Sequence, residues 1–348
     1  MAMDWNRLRC LLGAALAVAL FAAALLALPA DAGARGREKI PPGQVKKMQL
    51  NMMIDVRGHW AAEPITAMQK QGIIKGFPGG YFYPQREVTK YQALVMIVRA
   101  LGLEGQEPSD ESAGLVADSG CPDWARDSVA LAIDKGIITE EELADMDGRA
   151  PAARYEAAVW IGRALPGTIS DGEPPFGDAG QIPAWAKKYV RFMAENGIIT
   201  GYQDNYFRPW QKVRRAEMAA MLFRCMNRYS FNPKFSYLRG TVVEAMDSDP
   251  AFLILADGER EVMVLVADDA AIFVDGEAAE LADVEKGYAV TVILDSARRA
   301  IVVSAQSDGD VDEEEDASEV KKLTPADGAG DVAEGLDTLV VARNGARC

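Results

Sequence analysis

The stretch Trp60-Ala-Ala-Glu-Pro-Ile-Thr-Ala-Met-Gln-Lys-Gln-Gly72-Ile73-Ile74 recurs in outline twice further along the chain. Trp124 and Trp185 are also followed, twelve residues on, by Gly-Ile-Ile, at Gly136 and Gly197. Eighteen residues past each glycine stands a basic residue, Lys90, Arg154 or Arg215, and two residues later Gln92, Glu156 or Glu217. An aspartate, Asp55, Asp118 or Asp178, precedes each tryptophan by five to seven residues. Three copies with one internal spacing mark a repeat architecture, in which each copy is one supersecondary unit that buries its apolar face against its neighbours.

Each copy reads as helix, turn and second helix. Trp60, Pro64, Ala67 and Met68 fall near one face of the first helix. Gly72, Gly136 and Gly197 suit the left-handed position past its C-terminus, with the isoleucines folding back on the core. A glycine and aromatic turn follows, at 76–84 in the first copy and 201–209 in the third; the second has Thr139-Glu140-Glu141-Glu142 there. The second helix opens at Thr89-Lys90-Tyr91-Gln92, which has the Ser/Thr-x-x-Glu/Gln form of a capping box. Leu94, Val95, Ile97, Val98 and Leu101 then make an apolar stripe.

In this order (Asp-Val, Trp-Ala, Gly-Ile-Ile, Gly-Tyr/Phe, Phe-x-Pro and a Thr-Arg-Ala-Glu-like tetrapeptide) the chain resembles the S-layer homology domain over about residues 48–230. The copies span 48–105, 112–168 and 174–230. The resemblance implies a pseudo-three-fold helical bundle whose grooves bind a secondary cell-wall polymer, often through a pyruvylated sugar. It also implies a secreted protein held at the cell wall, possible self-association included. The tetrapeptide departs from the family pattern in every copy: Thr-Lys-Tyr-Gln, Ala-Arg-Tyr-Glu and Arg-Arg-Ala-Glu.

The residue chemistry points the same way. A basic residue in the first helical turn adds its charge to free N–H groups and the positive dipole end, a place that suits an anion. A guanidinium grips a carboxylate in two parallel hydrogen bonds, so Arg215, taken first, and Arg154 are better ligands for a pyruvyl group than the point charge of Lys90. The competing reading pairs these arginines with Glu156, Glu217 or the leading aspartates. Trp60, Trp124 and Trp185 either offer a ring face to a sugar or pack in the repeat core. Asp55, Asp118 and Asp178 either accept from sugar hydroxyls or cap the following helix. Gly72 and Gly197 complete the candidate set.

From 235 to 306 the texture changes to short β-prone runs at 240–243, 252–255, 262–266, 272–274, 289–294 and 301–303, punctuated by Asp-Gly and Lys-Gly turns. This predicts a small antiparallel barrel or sandwich, resembling the oligonucleotide-binding-fold type, and an α+β multidomain chain overall. Acidic loops speak against nucleic acid as its partner. Eight of the negatives behind the net charge of −15 fall between Asp308 and Glu319, so residues 307–348 are expected to form a solvated acidic tail. Asp308, Asp310, Asp312 and Glu319 share the spacing of a calcium loop, but Glu313 stands where the sharp turn wants glycine.

At the other end, Arg7 and Arg9 precede an apolar run from Leu11 to Leu28, and residues 1–34 read as an export signal, with an uncleaved anchor as the alternative. Cys10 precedes that run; Cys121, Cys225 and Cys348 follow with no close pair, so no disulfide framework is expected. His59 is the only histidine, which leaves no Ser/His/Asp or Cys/His pair for nucleophilic catalysis. No enzyme and no cofactor are expected. Two readings remain open: a carbohydrate-binding anchor, or a structural protein acting through protein contacts.

Overall fold

A computed structural model describes residues 52–229, 232–258 and 260–307. The export segment, Cys10, the acid-rich stretch with its calcium-loop spacing, and Cys348 lie outside the described residues.

The helical part contains α1 (Ala62–Lys70), α2 (Lys90–Ala100), α3 (Asp110–Asp118), α4 (Arg126–Asp134), α5 (Glu140–Asp145), α6 (Arg154–Ala164), α7 (Lys187–Glu195) and α8 (Arg215–Tyr229). Gly72, Gly136 and Gly197 all adopt φ between +65° and +72°. After each, the first isoleucine N–H reaches back to a carbonyl five residues earlier: Ile73 to Met68, Ile137 to Ala132 and Ile198 to Met193. These bonds satisfy carbonyls that a helix end otherwise leaves orphaned. The capping box forms at Thr89 and Gln92 as its spacing predicts. A second one, Thr139 with Glu142, starts α5 where the second copy lacks an aromatic turn.

The copies are interleaved. α1 packs on α8, α4 on α2 and α7 on α6, so each first helix lies against the second helix of the preceding copy. Backbone hydrogen bonds close the same ring: Val88 N–H donates to Val213, Val213 to Ala152 and Ala152 to Val88, at 2.9–3.0 Å. The first-turn N–H groups join in. Lys90, Arg154 and Arg215 donate to the carbonyls of Ala150, Gln211 and Arg86; Tyr91, Tyr155 and Ala216 donate to those of Gly148, Pro209 and Pro84. This corrects the expectation of free N–H groups awaiting an anion at these helix starts. Peptide carbonyls from another copy already fill those places, because buried backbone donors must find partners within the fold.

The tryptophan expectation also changes. α1 begins at Ala62, its buried face is Ile65, Thr66, Ala67 and Met68, and Trp60 stays 60% exposed. Trp60 precedes the helix, where His59 Nδ1 accepts the Ala61 N–H, so helical periodicity does not govern its direction.

The β part comprises β1 (Ser236–Met246), β2 (Phe252–Asp257), β3 (Arg260–Val274), β4 (Glu277–Ala278), β5 (Ala289–Leu294) and β6 (Ala300–Gln306). The order β2-β1-β5-β6-β3-β4, with β2 also pairing β3, closes five strands into a barrel and leaves β4 as an addition. One pair departs from the antiparallel expectation: β3 runs parallel to β6. The runs at 262–266 and 272–274 are one 15-residue strand, whose first half pairs β2 and whose second half pairs β6 across a register shift between Val266 and Ala271. Asp268 and Asp269, which look like turn residues in sequence, sit at that irregularity. Val242, Leu253, Leu255, Val292 and Val303 fill the barrel, while Phe273, Ile293 and Val302 join the helical core. The junction is further tied by Lys70 Nζ to Asp269 Oδ2 at 2.7 Å and by Tyr237 Oη donating to Gln71 Oε1 at 2.8 Å.

Candidate functional site

The interleaving brings residues from all the copies into one groove of about 350 Å³, lined among others by Trp60, Gln85, Arg154, Tyr202, Arg214 and Glu217. Arg154 enters from the first turn of α6, and only 7% of its surface is exposed. Its guanidinium carbon lies 5.0 Å from the Tyr202 ring centre and 5.5 Å from that of Phe207, within reach of cation–π attraction. Nη1 approaches Glu217 Oε1 at 3.5 Å, and Nε is buried with no hydrogen-bond partner among the described residues. Tyr202 donates its hydroxyl to Glu217 Oε1 at 2.6 Å and accepts from Gln211 Nε2 at 2.9 Å. Burial first, then the Glu217 carboxylate, pushes the Tyr202 phenol above its usual range.

Arg215, in the equivalent position of the third copy, meets the aromatic turn of the first. It lies 4.3 Å from the Phe82 ring centre and 4.9 Å from that of Phe77. Nε donates to the Phe82 carbonyl and an Nη to that of Lys75, both at 2.8 Å. Burial lowers its pKa to about 10, with the neighbouring Arg86 adding to the shift. Lys90, the counterpart in the first copy, pairs with Glu156 at 2.7 Å. Thus each basic residue reaches into the next copy, and the three are balanced differently: by a carboxylate, by aromatic faces with an incomplete carboxylate contact, and by peptide carbonyls.

The tryptophans lie outside the core: Trp60, Trp124 and Trp185 are 60%, 57% and 51% exposed. Trp210, which sequence reasoning did not single out, is 58% exposed; the Tyr155 ring centre lies 4.9 Å from it and 6.1 Å from that of Trp185. Of these four, Trp60 alone lines the groove that holds Arg154.

The aspartates have another role from either one considered. Asp55 accepts the N–H groups of Phe82 and Tyr83, both at 2.7 Å, and Asp178 those of Phe207 and Arg208 at 2.8 and 2.7 Å. They pin the aromatic turns and cap no following helix, because the turn folds back over the start of its own copy. Asp118, whose copy lacks that turn, is exposed at the end of α3. Gly72 and Gly197 sit at helix ends; the glycine that lines the groove is Gly201. Gln85 and Arg214 carry no signal at fixed spacing, since a different residue type occupies the equivalent place in each copy, whereas Tyr202 is the aromatic of the Gly-Tyr/Phe element, with Phe77 as its counterpart.

The family model for the S-layer homology domain matches residues 55–94 and 175–219. A surface-layer 125 kDa protein of Lysinibacillus sphaericus is 26% identical over 286 residues, covering 78% of this chain and 23% of that protein. A cellulosome-anchoring protein of Acetivibrio thermocellus is 27% identical, over 50% of this chain and 38% of its own length. An exoglucanase of the same species is 28% identical, over 53% of this chain and 17% of that enzyme. The chain therefore spans well under half the length of each of these relatives. The chain thus carries S-layer homology domain sequence in these two regions, which together with the surface-layer relative supports a place at the cell surface.

Proposed function

We propose that the helical copies form a pseudo-three-fold anchor that holds this protein non-covalently to a secondary cell-wall polysaccharide, with no catalytic step. The observation that carries this reading is the buried Arg154 guanidinium beside Tyr202, with an unpartnered Nε, in a groove edged by the exposed Trp60. A buried guanidinium lacking a full set of acceptors is costly, and a ligand carboxylate such as that of a pyruvylated sugar supplies them. The indole face of Trp60 offers an amphipathic surface for the sugar ring. Arg154 is favoured over Arg215, because Phe82 and Lys75 already engage Arg215. The anchoring relative named above supports the same role, and residues 1–34 would direct export.

The test is co-sedimentation of the protein with purified cell walls before and after chemical removal of the attached polysaccharide. Binding that disappears on stripping supports the anchor. Persistent binding points to peptidoglycan, and absence of binding to both samples favours a protein-contact role.

A further inference from the structure

Nine residues beyond the basic residue that opens each second helix stands another arginine: Arg99, Arg163 or Arg224. Two of these are neutralised. Arg99 Nε donates to Glu104 at 2.9 Å, and Arg163 makes two bonds to Glu142, at 2.5 and 3.1 Å. Arg224 donates to the Ile198 carbonyl at 3.2 Å and has no carboxylate partner among the described residues. It lines instead a pocket of about 400 Å³ where the end of α8 meets β1, together with Asn196, Gly197, Asn227, Arg228 and Arg239.

The chemistry of this pocket is one-sided. Among the described residues no Asp or Glu lines it, although the chain carries a net charge of −15. Arg228 Nε is held by Asn196 Oδ1 at 3.0 Å, which fixes its fork in place. The Arg239 guanidinium makes no hydrogen bond or ion pair among the described residues. Burial holds both Arg224 and Arg239 below the usual guanidinium range, the response expected of cations taken from water without a counter-charge. Asn227, which lines the same pocket, has its Oδ1 buried and unpartnered among the described residues. Glu63, whose carboxyl pKa burial holds above its usual value, shares the adjoining cleft with Arg239 and does not line this pocket.

We infer that this pocket binds a phosphate group through Arg224, Arg228 and Arg239. Tetrahedral phosphate oxygens accept from several guanidinium forks at once. The pocket exceeds a single ion in size and so fits a phosphate carried on a larger molecule. This site lies at the junction with the barrel and shares Arg224 with the anchoring groove, whereas Arg228 and Arg239 line only the junction side.

The test is calorimetric titration of the full chain, without wall material, using inorganic phosphate and a poly(glycerol phosphate) at matched ionic strength. Saturable phosphate binding is expected, with a rise in melting temperature, and Arg228→Gln and Arg239→Gln should each weaken it about tenfold. Tighter binding of the polymer identifies a phosphorylated polymer as the source; equal binding per phosphate identifies the free ion. The inference is overturned if heats do not saturate or if neither substitution alters them. It is also overturned if binding emerges only when the eight acids between Asp308 and Glu319 are changed to amides, because the chain's own carboxylates would then be the occupant.

Discussion

Arg154 and Glu217 stand 63 positions apart and face each other at 3.5 Å, with the Tyr202 hydroxyl on the same carboxylate oxygen at 2.6 Å. The carboxylate is thus committed to the phenol more closely than to the guanidinium. Arg154→Lys keeps the charge and removes the fork. Its affinity for untreated walls should fall by about tenfold or more, read from co-sedimentation isotherms, with the far-ultraviolet dichroism unchanged. An unchanged isotherm would remove Arg154 from the binding site.

Arg215 should behave in the opposite way. Its fork serves the Phe82 and Lys75 carbonyls. Arg215→Lys is therefore expected to cost stability, about 1–3 kcal/mol for a buried group left unsatisfied, measured as a lower urea midpoint. Stability equal to the parent chain would contradict this structural role.

Asp178 is 5% exposed and accepts two backbone N–H groups of the aromatic turn. Asp178→Ala orphans both donors, at about 1–3 kcal/mol for each that stays dry. Urea denaturation should show the loss, and wall binding should weaken with it, because Tyr202 belongs to the turn that Asp178 holds.

Gly72 and Gly197 have φ of +72° and +66°, and an added Cβ would meet no atom within 4 Å at either. Alanine there should cost about 1 kcal/mol from backbone conformation alone. A much larger loss of stability in either variant would show that space, too, is restricted at these turns.

Glu63, in the first turn of α1 where it meets the barrel, has its carboxyl pKa raised by burial, against an opposing hydrogen bond with Ser304. The folded state therefore holds this proton more tightly than the unfolded state. Its contribution to stability is fully present below the unfolded value of 4.5 and is lost as pH rises through the folded value. Glu63→Gln should flatten that decline and raise the melting temperature at pH 7 relative to the parent. A parallel pH profile for the two chains would show that Glu63 does not couple to folding.

Much of the local structure is legible in the sequence. The Trp to Gly-Ile-Ile spacing locates the first helix of each copy and its end, and Thr89 with Gln92 marks the start of α2. The barrel strands follow from β-prone runs between turn signals. The short helix α5 is legible in Thr139 and Glu142, whose capping box stands where the other copies carry the aromatic turn. α3 announces itself only by Ser109, which caps it through the Ser112 N–H.

Sequence by itself determined the repeat, its helix boundaries and the types of residue available to a ligand, because these follow from backbone conformation and periodicity within a few residues. Tertiary structure alone decided that each basic residue serves the neighbouring copy, that the first-turn N–H groups are spent on carbonyls of another copy, and that Asp55 and Asp178 clasp turns. It also decided which guanidinium is left short of acceptors: Arg154 and Arg215 occupy the same place in the repeat, yet their partners come from copies with different turns. Burial and hydrogen-bond satisfaction are properties of the closed ring, and no single copy contains enough of that ring to specify them.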